Sequence, residues 1–334
     1  MNLFQRFKKK ARENPQRIVL PEGEDQRIIR AAYMAIQEKI AFPILLGDHH
    51  KIEKKIYKLG LDLTDLDMVN PVDFPKMPEY ISFYCRMRKD HFVSKKVAHM
   101  VLKKSLNLGA LMVRLEDADG MVAGADNLTA SVLKSGILMI GLKEDVSIPS
   151  SFFIMATPDD SLGEKGFFIF ADGAVNPDPT PSQLAEIAIS SARSAKIVLG
   201  WEPRVALLSF STKKSASHPL VDKVIRATQI VQEKAPHLLV DGDLQADAAI
   251  IPEVARKKVK ESKVAGRANV LIFPDLNAAN IAYKLVQYIA HSRAYGPILQ
   301  GFNRPINDLS RGATIKDILT IISLTVIQAQ EARG

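Results

Sequence analysis

At 334 residues the chain exceeds what one hydrophobic core usually organises, so two domains are expected. Its composition, 47% hydrophobic and 25% charged, is that of an ordinary soluble protein, and no apolar run approaches membrane-spanning length. A net charge of +8 suits polyanionic partners, but the basic residues are scattered and lack Cys/His finger spacing or an Arg-rich tract, so small phosphorylated ligands are expected rather than nucleic acid.

Residues 1–13 read as an amphipathic helix with Leu3, Phe4 and Phe7 on one face; that face is too short for a membrane anchor. The basic start Met1-Asn2-Leu3-Phe4-Gln5-Arg6 lacks the apolar core and cleavage site of a secretory signal, and Cys85, being alone, forms no internal disulfide. A cytoplasmic protein is expected. Residues 17–23 read as a buried strand ending in a turn, 25–39 as a helix and 42–47 as the next strand, a spacing that argues for a parallel sheet. Residues 60–79 are loop-rich, and the helical phase of 83–91 sets its basic groups along one side. Residues 108–114 read as a strand, and 117–129 as a small, Gly-rich turn before a helical run over 130–140. Glycines in such a turn let backbone approach a phosphate, or simply let elements pack closely.

A polar crossover at 142–151 suits a domain boundary. Residues 151–155 and 166–172 read as a hairpin, 174–180 as a rigid turn, and 181–199 as a helix with Pro181 in its first turn. Residues 203–212 read as a strand delivering hydroxyls to its C-terminal end, ahead of a helix that runs to Lys234. Ser211, Thr212, Lys213 and Ser215 thus form a candidate anion site between strand and helix. His218, before a proline and with no carboxylate in view to orient it, reads as a loop residue rather than a base. Asp241, Asp243 and Asp247 near a strand end would suit a divalent metal if taken alone, and equally read as hydrogen-bonded carboxylates. Residues 270–280 lead into a helix to about 290.

The chain is organised around 296–317, a polar, Gly/Pro-punctuated stretch before the almost wholly apolar helix 318–327. Thr314 with Asp317 reads as a capping box, so Ser310-Arg311-Gly312 delivers the chain to a helix N-terminus. Backbone N–H groups, the helix dipole and the Arg311 fork would attract a phosphate or carboxylate there. The same residues also read as a cap, a surface charge and a loop hydroxyl, so physics alone yields an anion-site candidate and no reaction.

Gly296-Pro297-Ile298-Leu299-Gln300-Gly301, followed by Pro305-Ile306-Asn307-Asp308-Leu309-Ser310-Arg311-Gly312, closely resembles the signature of the phosphate acetyltransferases (phosphotransacetylases), which move acetyl between acetyl phosphate and coenzyme A. Ala171-Asp172, Ala174-Val175-Asn176-Pro177-Asp178-Pro179-Thr180 and the run from Asp241 to Ala249 resemble the same family, and the likeness extends from about residue 17 to 329. It implies an α/β fold of two three-layer α/β/α domains, isocitrate/isopropylmalate dehydrogenase-like: residues 1–145 plus 298–334, and 146–297, with the active site in a cleft between them. It also implies a homodimer.

By resemblance, Asp317 would take the thiol proton of coenzyme A, Arg311 would bind acetyl phosphate, and Ser310 would hydrogen-bond the acetyl group, with direct thiolate attack and no acyl-enzyme. A thiol near pKa of about 8.5 giving its proton to an Asp of about 3.9 is uphill by roughly 6 kcal/mol, so Asp317 is expected to orient the thiol more than to act as a strong base. Arg88 and Lys134 would hold coenzyme A; Lys134 stands where the family has arginine and loses the bidentate fork. His91 and Phe92 replace the family's Lys-Gly, Lys214 replaces a common glycine, and Gly173 replaces a cysteine of some relatives, which rules out a thiol nucleophile there. No tightly bound cofactor and no catalytic metal are implied. Coenzyme A, acetyl phosphate and inorganic phosphate are the expected substrates, without nucleic acid or membrane partners. Two alternatives stand beside acetyl transfer: a longer acyl group such as butyryl, and a non-catalytic acetyl-CoA-binding module, to which Lys134, Lys214 and the altered 88–92 segment would belong.

Overall fold

Short apolar runs alternating with longer amphipathic ones build two compact units, Met1–Gly141 with Phe302–Gly334, and Leu142–Gly301. The computed structural model describes residues 3–62, 66–89 and 92–332; Met1, Asn2 and His91, which entered the expectations above, lie outside them.

The first unit opens with α1 (Leu3–Glu13), which buries Leu3, Phe4, Phe7 and Ala11, the face expected from its periodicity. There follow β1 (Gln16–Leu20), α2 (Gln26–Gln37), β2 (Ala41–Leu46), α3 (His49–Leu59), β3 (Asp67–Val69), α4 (Met77–Met87), α5 (Lys95–Leu102), α6 (Ser105–Arg114), β4 (Gly120–Ala123) and α7 (Thr129–Ser135). α7 runs on into a π-helical turn over Gly136–Ile140. β1 pairs in parallel with β2 on one side and β4 on the other, as the strand–helix–strand spacing anticipated.

One expectation fails here. Residues 108–114 are helical, and the strand lies further on, inside the stretch read as a turn. Leu108, Gly109, Ala110, Leu111, Met112 and Val113 are all buried, so the run shows no polar face from which a helical period could be read. Gly109 makes the packing possible: a Cβ there would lie 2.6 Å from Val19 Cγ1.

The second unit comprises β5 (Ser150–Ala156), β6 (Phe167–Ala171), α8 (Pro181–Leu199), β7 (Arg204–Leu208), α9 (Pro219–Lys234), β8 (Leu239–Leu244), α10 (Ala246–Ile250), α11 (Pro252–Lys258), β9 (Val270–Ile272), α12 (Leu276–Ile289) and β10 (Arg293–Gln300). β5 and β6 form the expected antiparallel hairpin. β10 adds to β5 at one edge, and β9, β7 and β8 continue in parallel from β6. α8 starts at a full capping box, Thr180 with Gln183, and stops at Gly200, whose φ of 69° supplies the left-handed C-cap. Phe153, Met155, Phe168, Phe170 and Phe273 fill the core beside this sheet.

The chain re-enters the first unit at Phe302, forms β11 (Ile306–Asp308) and ends in α13 (Ile315–Ala332). β11 joins β4 in parallel and completes the order β11-β4-β1-β2-β3. The sequence showed neither β10 nor β11. The pairing of β10 with β5 slips between Tyr295 and Ile298, which breaks alternation, and β11 is too short to display any. α13 is buried almost all round, as its composition required, and packs on α1, α2 and β1.

Candidate active site

β11 ends at Asp308, beside the end of β4, where Leu309 N–H donates to the Ala123 carbonyl at 2.7 Å. The chain then turns tightly: Ala313 N–H donates to the Ser310 carbonyl at 2.8 Å, and Gly312 N–H to Ser310 Oγ at 3.3 Å. The capping box forms next. Thr314 N–H and Oγ1 donate to Asp317 Oδ2 at 2.9 and 2.7 Å, and Asp317 N–H donates to Thr314 Oγ1 at 3.2 Å. Ser310, Arg311 and Asp317 are thereby brought together on one exposed loop and helix start. No ion pair occupies the Arg311 guanidinium among the described residues.

The backbone of this loop is fastened from outside. Arg27 Nη1 donates to the carbonyls of Arg311 at 2.7 Å and Ala313 at 3.2 Å, while Nη2 donates to the Ala125 carbonyl at 2.9 Å. Asp25, the N-cap of α2, holds Arg27 in turn at 2.7 Å; burial pushes its carboxyl up, and the hydrogen bonds and charge of Arg27 outweigh that and leave it below the usual range. Glu22, 9% exposed, fills the turn after β4: its carboxylate accepts from the N–H groups of Gly124, Ala125, Asp126 and Asn127 and from Asn127 Nδ2, at 2.8–3.1 Å. Gly124, at φ 112°, has no room for a side chain, since a Cβ would stand 2.4 Å from Asp308 Oδ1. Sequence reasoning missed Glu22, Arg27 and Asp308, and only Asp308, inside the signature run, carried a local signal.

The turn filled by Glu22 also walls a cavity of about 1040 Å³ at the carboxyl ends of β1, β2 and β4, where ligands gather in parallel sheets. Lys134, on α7, lines it together with Lys55 and Lys104. Lys55 donates to the Glu24 carbonyl, whereas neither Lys104 nor Lys134 has an ion-pair partner among the described residues. Arg88 caps α4 and does not line this cavity, and its Nε is buried with no hydrogen-bond partner among the described residues. The structure thus assigns Arg88 and Lys134 to different surroundings within the first unit.

In the second unit, Ser211 and Ser215 meet through their hydroxyls at 3.3 Å, and Thr212 N–H donates to Ser215 Oγ at 3.1 Å. Ser211 and Thr212 are buried, Thr212 Oγ1 bonds Gln245, and Lys213 is ion-paired with Asp241. Lys214 sits at φ 64°, the left-handed conformation that favours glycine. His218 is the N-cap of α9, its Nδ1 accepting from Leu220 N–H at 3.2 Å. Asp243 accepts from Lys214 N–H at 3.2 Å and Asp247 pairs with Lys258 at 2.7 Å, so the acidic run is spent on hydrogen bonds.

A family model described as phosphate acetyl/butaryl transferase matches residues 2–326. The chain is 46% identical over 330 residues to the phosphate acetyltransferase of Thermoanaerobacterium thermosaccharolyticum, covering 99% of this chain and 100% of that one. A phosphotransacetylase from Streptococcus pyogenes superposes with a TM-score of 0.94 at 39% identity, over 99% of this chain and 100% of that one. A 4-hydroxythreonine-4-phosphate dehydrogenase from Burkholderia phymatum, 12% identical with a TM-score of 0.54 over 94% of this chain and 98% of its own, shares the fold alone, in keeping with the dehydrogenase-like architecture expected. The chain therefore belongs to the phosphate acetyl/butaryl transferase family of acyltransferases.

Proposed function

We propose that the protein transfers an acetyl group reversibly between acetyl phosphate and coenzyme A, by direct thiolate attack in a ternary complex. The observation that carries this reading is the Ser310–Ala313 loop, whose carbonyls are clamped by Arg27 while the Arg311 guanidinium stays unpaired among the described residues. A rigid loop offering an uncommitted fork suits a phosphoryl group. In this reading Arg311 holds the phosphate of acetyl phosphate and the Ser310 hydroxyl donates to the acetyl oxygen. The C–S bond forms as the carbonyl–O bond to phosphate breaks, and the thiol proton leaves with inorganic phosphate. Asp317, with Oδ2 already engaged by Thr314, orients the thiol through its other oxygen.

Coenzyme A enters as a substrate and not as a resident cofactor. Lys134 takes one of its phosphates in the 1040 Å³ cavity, a volume that admits a nucleotide-sized ligand, and Arg88 takes another. Ser211, Thr212, Lys213 and Ser215 form a second anion-binding group within the second unit, Lys213 as a cation already neutralised by Asp241. A homodimer in the cytoplasm belongs to the same reading. α12 exposes Ile281, Leu285, Tyr288 and Ile289 at helical spacing, an apolar face that a second copy would cover. Leu285→Glu is expected to shift sedimentation to the monomer, and an unchanged native monomer would refute the dimer.

The function is tested by the initial rate of thioester formation from acetyl phosphate and coenzyme A, in the native chain and in Ser310→Ala. Rapid turnover that falls on the order of a hundredfold in the variant supports the enzyme and its site. No turnover in the native chain, with acetyl-CoA still bound, would replace it with the binding-module reading. Faster turnover of butyryl phosphate would reassign the acyl group.

A further inference from the structure

Asp308 is 2% exposed, and its two carboxyl oxygens have unlike surroundings. Oδ2 accepts from Thr129 Oγ1 at 2.5 Å, whereas Oδ1 is buried with no partner among the described residues. Three elements face it: Thr129 from the first turn of α7, the Gly124 backbone from the turn after β4, and Glu22, itself held by that turn and felt electrostatically by Arg27. Burial first, and the Glu22 carboxylate in addition, raise the Asp308 carboxyl to about 6. A buried oxygen without a donor is costly, and a sequence retains one where something else is gained.

What is gained follows from where the two partners sit. Asp308 closes β11 and precedes Ser310 and Arg311 by two and three residues; Thr129 opens α7, the helix that carries Lys134. One short hydrogen bond therefore joins the strand that presents the phosphate loop to the helix that presents the lysine in the cavity. On the reading above, that Ser310, Arg311 and Lys134 hold the two substrates, we propose that Asp308 is a positioning residue which, through Thr129, sets the spacing between the Ser310–Arg311 loop and the Lys134 helix. Two anchors that grip the two substrates of one transfer must hold them in register, because a misplacement of about 1 Å costs about a hundredfold in rate.

The test compares Thr129→Val, Asp308→Leu, their double variant and Asp308→Asn, scored by kcat, by KM for each substrate and by near-UV circular dichroism to count folded protein. Thr129→Val is the variant best placed to fold, since Thr129 is only half-buried. Each broken tie is expected to lower kcat about a hundredfold per folded molecule, with both KM values within about threefold, and the double variant no lower than the worse single. Asp308→Asn still accepts the Thr129 hydrogen bond and is expected to keep kcat within about threefold. It should also abolish one feature of native stability. The native carboxyl binds its proton up to about pH 6 and the unfolded one only to about 4, so native stability falls as pH rises across that window and is level above it.

Full kcat in Thr129→Val overturns the proposal, and so does Asp308→Asn losing as much as Asp308→Leu, which would show that the charge and not the tie is used. Ser310→Ala is measured alongside. Its full activity sinks the site reading itself, whereas loss in Ser310→Ala with Thr129→Val intact sinks the tie alone.

Discussion

Two loops of this molecule look alike in sequence, each placing hydroxyls and a cation between a strand and a helix, yet the structure treats them in opposite ways. At Ser310–Ala313 the backbone is fastened by a distant side chain, Arg27, and the loop's own arginine remains uncommitted. At Ser211–Ser215 the restraints are made with the loop's own side chains: its hydroxyls bond one another and Gln245, and Lys213 is consumed by Asp241. A loop held by its neighbours keeps its own functional groups for a ligand. A loop that spends its side chains on its restraints has fewer left.

The sharpest way to break this contrast is to neutralise each cation in turn. Arg311→Gln is expected to lower kcat/KM by about 10²–10³, as removal of a charged donor from a reacting group does, with thermal stability unchanged. Lys213→Gln should cost less than about tenfold in kcat/KM, together with about 1 kcal/mol of stability from the half-exposed ion pair with Asp241. Equal kinetic losses in the two variants would erase the distinction.

A second substitution tests whether outside fastening is what matters at the first loop. Gly124→Ala drives a methyl into Asp308 Oδ1 and the Leu309 backbone at a φ of 112°, and should cost about 2–4 kcal/mol in urea unfolding along with most of the activity. A variant that folds and turns over normally would show that the turn after β4 does not support the Ser310 loop. The smallest effect is expected at the Ser211–Ser215 loop. Lys214→Gly relieves a left-handed residue and should add about 1 kcal/mol of stability with little change in rate; a loss of stability would show the lysine side chain to be useful there.

Elements governed by near neighbours were legible beforehand. α8 runs over the residues its caps delimit, the β5–β6 hairpin forms where two apolar runs flank a polar turn, and Thr314 with Asp317 caps α13. Elements governed by distant ones were not. The helix α6 has the sequence pattern of a strand because complete burial removes its polar face, and β4 and β11 are too short for a period to show. Arg27 lies 284 residues from Arg311 in the chain, and Glu22 lies more than 100 from each backbone N–H it accepts from, so no window of sequence contains both partners.

The amino-acid order by itself determined the family, the two-unit α/β character and the candidacy of Ser310, Arg311 and Asp317, because caps, turns and signature runs are written in adjacent residues. Only the tertiary structure decided which candidate loop keeps an uncommitted cation, where Lys134 finds a cavity, and why Gly124 and Asp308 must meet. Those outcomes depend on which side chains burial and strand pairing bring into hydrogen-bonding distance, and such distances exist only once the sheet has formed.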